Sequence, residues 1–157
     1  MNLLLVKKNP FLMHAISIKM GLWMLAGFIS FFLLMYSVGL GHRIELHIVN
    51  SIIQVFCLYR AIKLYYTLHP ENINNYLLGV AQGMWATLIG VGGFAVFMIL
   101  FLSMNSGLMD SIRQNSSMGE YLNPFSANLF IMAEGLVISL IVSYIVTRVV
   151  GLTIKSD

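Results

Sequence analysis

Four long apolar runs, separated by shorter polar stretches, order the chain. The first runs from Ile16 to Val38 and follows Asn9-Pro10, an N-cap type residue with proline at the first helical position. A helix is therefore expected to begin ahead of the apolar stretch, with Phe11 to Lys19 near a polar boundary. The run is too long for the core of a signal peptide, and no small-x-small cleavage pattern follows it, so it is expected to be retained. Gly39-Leu40-Gly41-His42-Arg43 connects it to a second run, Glu45 to Tyr66. This run is the most polar of the set: His47, Asn50 and Gln54 come first, then Arg60 and Lys63 among Tyr59, Tyr65 and Tyr66, residues that favour a membrane interface.

His69 to Asn75, with Pro70 and clustered asparagines, reads as a loop. A third apolar run covers Leu77 to Leu102. The polar stretch 103–126 contains Leu108, Met109 and Ile112 at helical spacing, which predicts a short interfacial helix inside a long loop. The fourth run is Ala127 to Val150. Each run has the roughly 20 residues a membrane helix needs. The expected fold is all-α: a single integral membrane domain over 1–157, a bundle of four transmembrane helices at about 16–38, 45–66, 77–102 and 127–150 with an outer loop at 103–126.

Composition agrees with that pattern. The 157 residues are 59% hydrophobic and 10% charged, against roughly 45–50% and 25% in a soluble domain. Four such spans leave no room for a separate soluble catalytic domain. The net charge of +3 comes from nine dispersed Lys and Arg with no dense basic run, so no nucleic-acid partner is expected. Crossing four times places Lys7, Lys8, Lys19, Arg60, Lys63, Arg148 and Lys155 on one side and Arg43 and Arg113 on the other. The positive-inside rule then puts both termini in the cytoplasm. A lone cysteine, Cys57, excludes an intrachain disulfide.

Glu134 stands seven residues into the fourth run, about 10 Å along the helix. A carboxyl at that depth is expensive in lipid and usually faces the bundle interior or a wet cavity. His47, Asn50 and Gln54, spaced i, i+3, i+7, share a helix face at similar depth. The four residues form a candidate buried polar site. Read functionally, it handles a proton or cation; read structurally, it is polar glue between helices. Gly79, Gly83 and Thr87 in the third run, with Gly90 a further packing glycine, and Gly135, Ser139, Ser143 and Thr147 in the fourth form two ridges of small residues that predict close pairing of those helices, within one chain or between two. His42, Glu45 and His47 fit no zinc spacing, so neither metal nor cofactor is expected. Asn115-Ser116-Ser117 is a chance-level glycosylation triplet.

Asn75-Tyr76 entering the third run, Gln82-Gly83 with Gly90 inside it, the long loop closing on Asn123-Pro124 and the Gly/Ser-rich last run resemble a family of small bacterial four-helix membrane proteins of unknown function. The resemblance implies a bacterial inner-membrane protein and no particular activity. The expected role is a non-enzymatic accessory or assembly partner in the membrane, with lipid and another membrane protein or a second copy as neighbours. The alternative is a small ion- or proton-coupled transporter or channel subunit built on Glu134, Asn50 and Gln54. A lipid or quinone enzyme is a third class, drawing on His42, Glu45, His47, Asp110 and Glu120 for a cluster.

Overall fold

The computed structural model of the chain describes residues 10–39, 47–115 and 123–156. Five α-helices account for nearly all of them: α1 Pro10–Ser37, α2 His47–Leu68, α3 Tyr76–Met104, α4 Ser106–Asn115 and α5 Pro124–Ser156. A single 3-10 turn, Pro70–Asn72, lies between α2 and α3. The helix ends follow local chemistry. α1 starts on Pro10 and closes on Gly39, whose φ of 78° is open to glycine at little cost; its N–H bonds to Tyr36 O at 3.0 Å. Asn123 caps α5 reciprocally: Ser126 N–H donates to Asn123 Oδ1 at 2.7 Å and Asn123 N–H donates to Ser126 Oγ at 2.9 Å, with Pro124 at the first helical position.

That cap lengthens the last helix. α5 begins at Pro124, three residues before the apolar run does, and α3 continues to Met104. Much of the stretch expected as a long loop at 103–126 is therefore helical. α4 turns the apolar Leu108, Met109 and Ile112 onto the core and leaves Asp110 and Arg113 outside, 3.3 Å apart. Tyr36 at the end of α1 donates to Asn105 Oδ1 at 3.4 Å, next to the α3–α4 junction.

α3 sits between the others. In its most apolar stretch 39% of the residues are buried, against 22% in α1 and 11% in α5. α1 runs parallel to it, as the successive pairs Ser17–Gln82, Gly21–Ala86, Phe28–Phe94 and Phe32–Phe101 show. α5 runs antiparallel to it, through Gly79–Thr147, Gly83–Ser143, Thr87–Ser139 and Gly135–Val91. α2 touches α1, α3 and α5. Along the α1–α3 seam Phe28, Phe32, Tyr36, Phe94, Phe97 and Phe101 pack largely edge to face, with centroids 5.1–6.3 Å apart.

The core is largely apolar but carries buried polar groups, and large apolar side chains cover the outside. Ser17, Gln54, Gln82, Thr87, Asn128, Ser139, Ser143 and Thr147 are buried, whereas Leu22, Trp23, Leu88, Val96, Leu100, Phe130, Val137, Leu140 and Ile141 face outward. Exposed hydroxyls bond back to their own helix: Ser37 to Leu34 O, Thr67 to Lys63 O, Ser103 to Ile99 O and Thr153 to Val149 O, at 2.7–3.0 Å. The outer surface can thus sit in hydrocarbon without leaving those groups unsatisfied. Among the described residues, α1 (from Ala15), α3 and α5 are long and apolar enough to cross a membrane. α2, shorter and carrying Asn50, Gln54, Arg60 and Lys63, is not one of these three.

Candidate functional site

The α3–α5 contact is a seam of small residues meeting in steps of four. A Cβ added at Gly79 would stand 2.7 Å from Thr147 Cγ2 and 2.8 Å from its Oγ1. One added at Gly83 would collide with Ser143 Oγ and stand 2.8 Å from Ser143 Cβ. At Gly83 the hydrogen in that direction points at Ser143 Oγ, a Cα–H···O contact between the helices, while at Gly79 it meets the Tyr66 hydroxyl and the Thr147 side chain together. Ser143 Oγ and Thr147 Oγ1 are buried and have no conventional hydrogen-bond partner among the described residues, so these weak contacts are what they meet. Tyr66 of α2 closes the end of the seam over Gly79, its hydroxyl donating to Asn75 O at 3.1 Å.

Further along, the seam carries a polar bridge joining three helices. Gln54 of α2 donates through Nε2 to Gly135 O at 2.8 Å and Ser139 Oγ at 2.5 Å, both on α5. Ser139 and Thr87 of α3 share a hydroxyl hydrogen bond, and Thr87 Oγ1 donates to Gly83 O at 3.0 Å. Gln54, Thr87 and Ser139 are all buried. Replacing Gln54 by Leu removes the only side chain of α2 in this bridge, and is expected to cost about 1–2 kcal/mol. A double-mutant cycle with Ser139→Ala, read from unfolding in detergent micelles, should give a coupling of about 0.5–1.5 kcal/mol. Additive losses would mean the bridge holds nothing together.

Beside this bridge lies a cavity of about 40 Å³, lined by Asn50, Ser51 and Gln54 of α2, Glu134, Ile131, Gly135 and Ile138 of α5, Phe28 of α1, and Val91 and Phe94 of α3. One side is polar and the other aromatic and aliphatic. A site of this size holds a few water molecules, since each needs about 10–15 Å³. Asn50 Oδ1 is buried there without a hydrogen-bond partner among the described residues.

One of the expected positions is corrected. Glu134 is exposed on the outer side of α5, at the cavity's rim, and is not buried inside the bundle. The reason is rotational: the inward face of α5 is set by the row Gly135, Ser139, Ser143 and Thr147, and its neighbour Glu134 stands about 100° round the helix from Gly135. Gly90, a packing glycine, meets α1, where an added Cβ would stand 2.6 Å from Met24 Sδ and 2.9 Å from its Cγ. Val91, one residue on, takes the ridge position opposite Gly135. Asn50, Gln54 and Glu134 do line one cavity. His47 opens α2, with its side chain outside the described set, as are His42, Glu45, Ser116, Ser117 and Glu120.

Two further polar elements were hidden within apolar runs. Ser17 of α1 donates to the side-chain and main-chain oxygens of Gln82 on α3, the latter at 3.3 Å, with both residues buried. Ser51 joins the cavity wall. A serine or glutamine inside an apolar run was the available signal for each, but it does not name the partner. Among the described residues, no group of three or more His, Cys, Asp or Glu is placed to hold a metal ion. In comparison with known proteins, no family model, curated protein or solved structure matches the chain, so every role considered for these residues rests on their own geometry.

Proposed function

We propose that this is a multi-pass protein of a bacterial cytoplasmic membrane, crossing it with α1, α2, α3 and α5, both termini in the cytoplasm, and that it serves as a non-enzymatic assembly partner of another membrane component. Counting α2 as a span is supported by its surface. Ile52, Val55, Phe56, Tyr59, Leu64 and Leu68 face outward while Gln54 faces in, and its 22 residues reach about 33 Å, enough for a hydrocarbon layer of about 30 Å. Arg60 and Lys63 lie in its second half, where long basic side chains reach the headgroups, and Lys63 Nζ lies 5.7 Å from the Tyr59 ring centre. An even number of crossings places the termini with the basic majority of the flanks.

The observation that carries the assembly role is the locked interior. Glycines on α1 and α3 are filled by side chains or backbone of the facing helix at Gly21, Gly79, Gly83, Gly90 and Gly93, and Gly135 of α5 is filled by Val91. Interiors packed this closely hold one arrangement and resist continuous deformation. The bundle is therefore suited to present fixed outward faces to neighbouring helices. α5 is the face on offer, with 11% of its most apolar stretch buried within the chain.

A photo-crosslinking side chain placed at the exposed Leu140 or Ile141 of α5 in the source membrane is expected to give a discrete protein adduct. Native mass spectrometry of the extracted complex should show the same added mass. Crosslinking to lipid alone, with a solitary monomer in the mass spectrum, would sink this reading. A mass of two chains would identify the partner as a second copy.

A further inference from the structure

We propose that the outward face of α2 seats an anionic phospholipid, its phosphate held by Arg60 and Lys63 and its acyl chains lying along Phe56 and Ile52. Helical spacing draws this face. Ile52, Phe56, Tyr59 and Lys63 follow one another in steps of four, three and four, and Arg60 lies beside them one turn before Lys63. All five are exposed, while Gln54 and Ile62 on the opposite side of the helix are buried in the bundle. From the start of α2 towards its end the stripe therefore changes from apolar to aromatic to cationic. A phospholipid has the same order from its chain ends to its phosphate.

Two cations on a lipid-facing surface need a counter-charge, and the described part of the chain brings none to them. Neither Arg60 nor Lys63 pairs with a carboxylate among the described residues, and Glu71, the nearest acid along the chain, has its Oε1 3.4 Å from His69 Nδ1. At 1.5 Å per residue Lys63 stands about 7.5 Å, and Arg60 about 12 Å, short of Leu68 at the end of α2. An extended lysine covers the shorter distance to the headgroups, and Arg60, one turn deeper, meets the phosphate from the acyl-chain side. The planar guanidinium offers two parallel N–H donors to two phosphate oxygens, and Lys63 adds a point charge. Tyr59 orients that lysine, whose Nζ lies 5.7 Å from the ring centre. A membrane surface brings phosphate to this depth by itself, whereas a partner helix would have to carry a carboxylate into lipid, which is expensive. The site rests on α2 crossing the membrane, as in the reading above, and is independent of the assembly role.

Native mass spectrometry of the full chain in detergent micelles, titrated with phosphatidylglycerol and separately with phosphatidylcholine, tests the site. The wild type is expected to bind phosphatidylglycerol in preference. Arg60→Gln with Lys63→Gln should weaken that binding about 25-fold, at about five-fold per cation near a lipid surface. The exchange Arg60→Lys with Lys63→Arg should keep the preference, and so should Lys19→Gln with Arg148→Gln, which removes the same charge from exposed positions on other helices. Equal affinity for the two lipids, or equal losses in the two charge-removing variants, overturns the site. A photo-crosslinking side chain at Phe56 in the source membrane should label lipid, and a discrete protein adduct there would overturn lipid as the occupant. The crossing itself is read separately, in a Cys57→Ala background, where Ile52→Cys should be shielded from a water-soluble maleimide and Thr67→Cys should react. Reaction at both positions overturns the crossing and the site with it. Shielding of Ile52→Cys without a phosphatidylglycerol preference overturns the site alone.

Discussion

Substituting Gly83 by alanine is expected to destabilise the bundle by about 1–3 kcal/mol, although glycine to alanine in an unobstructed helix normally gains about 0.5–1 kcal/mol. The sign reverses because of what the new methyl meets. It would collide with Ser143 Oγ and stand 2.8 Å from Ser143 Cβ, with Ile62 Cδ1 on its flank at 3.5 Å. Ser143 is fully buried, so its short side chain has nowhere to turn and α5 itself must move away from α3. That movement would also stretch the Thr87–Ser139 hydrogen bond one turn on and the Gly79–Thr147 contact one turn back. Combining Gly83→Ala with Ser143→Gly removes the hydroxymethyl that the new methyl would strike and should recover most of the loss. Equilibrium unfolding in mixed detergent micelles reads both variants. A neutral or stabilised single variant would show that the helices do not approach this closely.

The second large effect is expected at Gly21, where alanine should cost about 2–3 kcal/mol and resist repair by a second substitution. Here the added Cβ would stand 2.7 Å from Ala86 O and 2.7 Å from Ile89 Cβ. The first is backbone and the second is anchored to it, so neither yields by changing rotamer. α1 would have to lift off α3, loosening the Ser17–Gln82 bond one turn away and the Phe28–Phe94 contact beyond. Gly90→Ala should cost less, because it presses on the flexible Met24 side chain, and Gly92→Ala should instead stabilise by about 0.5–1 kcal/mol, since nothing lies within 4 Å of its added Cβ. The ranking Gly21, then Gly90, then Gly92, in the same micelle assay, tests whether close approach sets the cost. Equal effects at the three positions would point to helix propensity instead.

These glycines show how far the linear chain could be read. Gly79, Gly83 and Thr87 stand out by four-residue spacing, and so do Gly135, Ser139, Ser143 and Thr147; the structure sets the two rows against each other. Gly90 continues the glycine count three residues past Thr87, yet that step carries it round the helix to α1. Met24 and Gly21 of α1, which make the other close seam, belong to no repeated motif. Asn50 and Gln54 come to one cavity with Glu134, as comparable depth suggested, but the carboxyl lies at the rim because its rotation about α5 follows from the small-residue row beside it.

The sequence by itself determined the helical class, three of its four apolar runs as helices long and apolar enough for a membrane, and the helix start near Pro10, because hydropathy and local start signals are read from neighbours along the chain. It also marked α2 as the polar helix. Only the tertiary structure decided that α3 is the central helix, that α1 lies parallel and α5 antiparallel to it, and that Gln54 rather than Glu134 is the buried group joining α2 to α5. The physical reason lies in rotation. Which face a membrane helix buries is chosen by where small residues on two helices let their backbones meet, and that choice belongs to the pair of helices, not to either stretch of sequence.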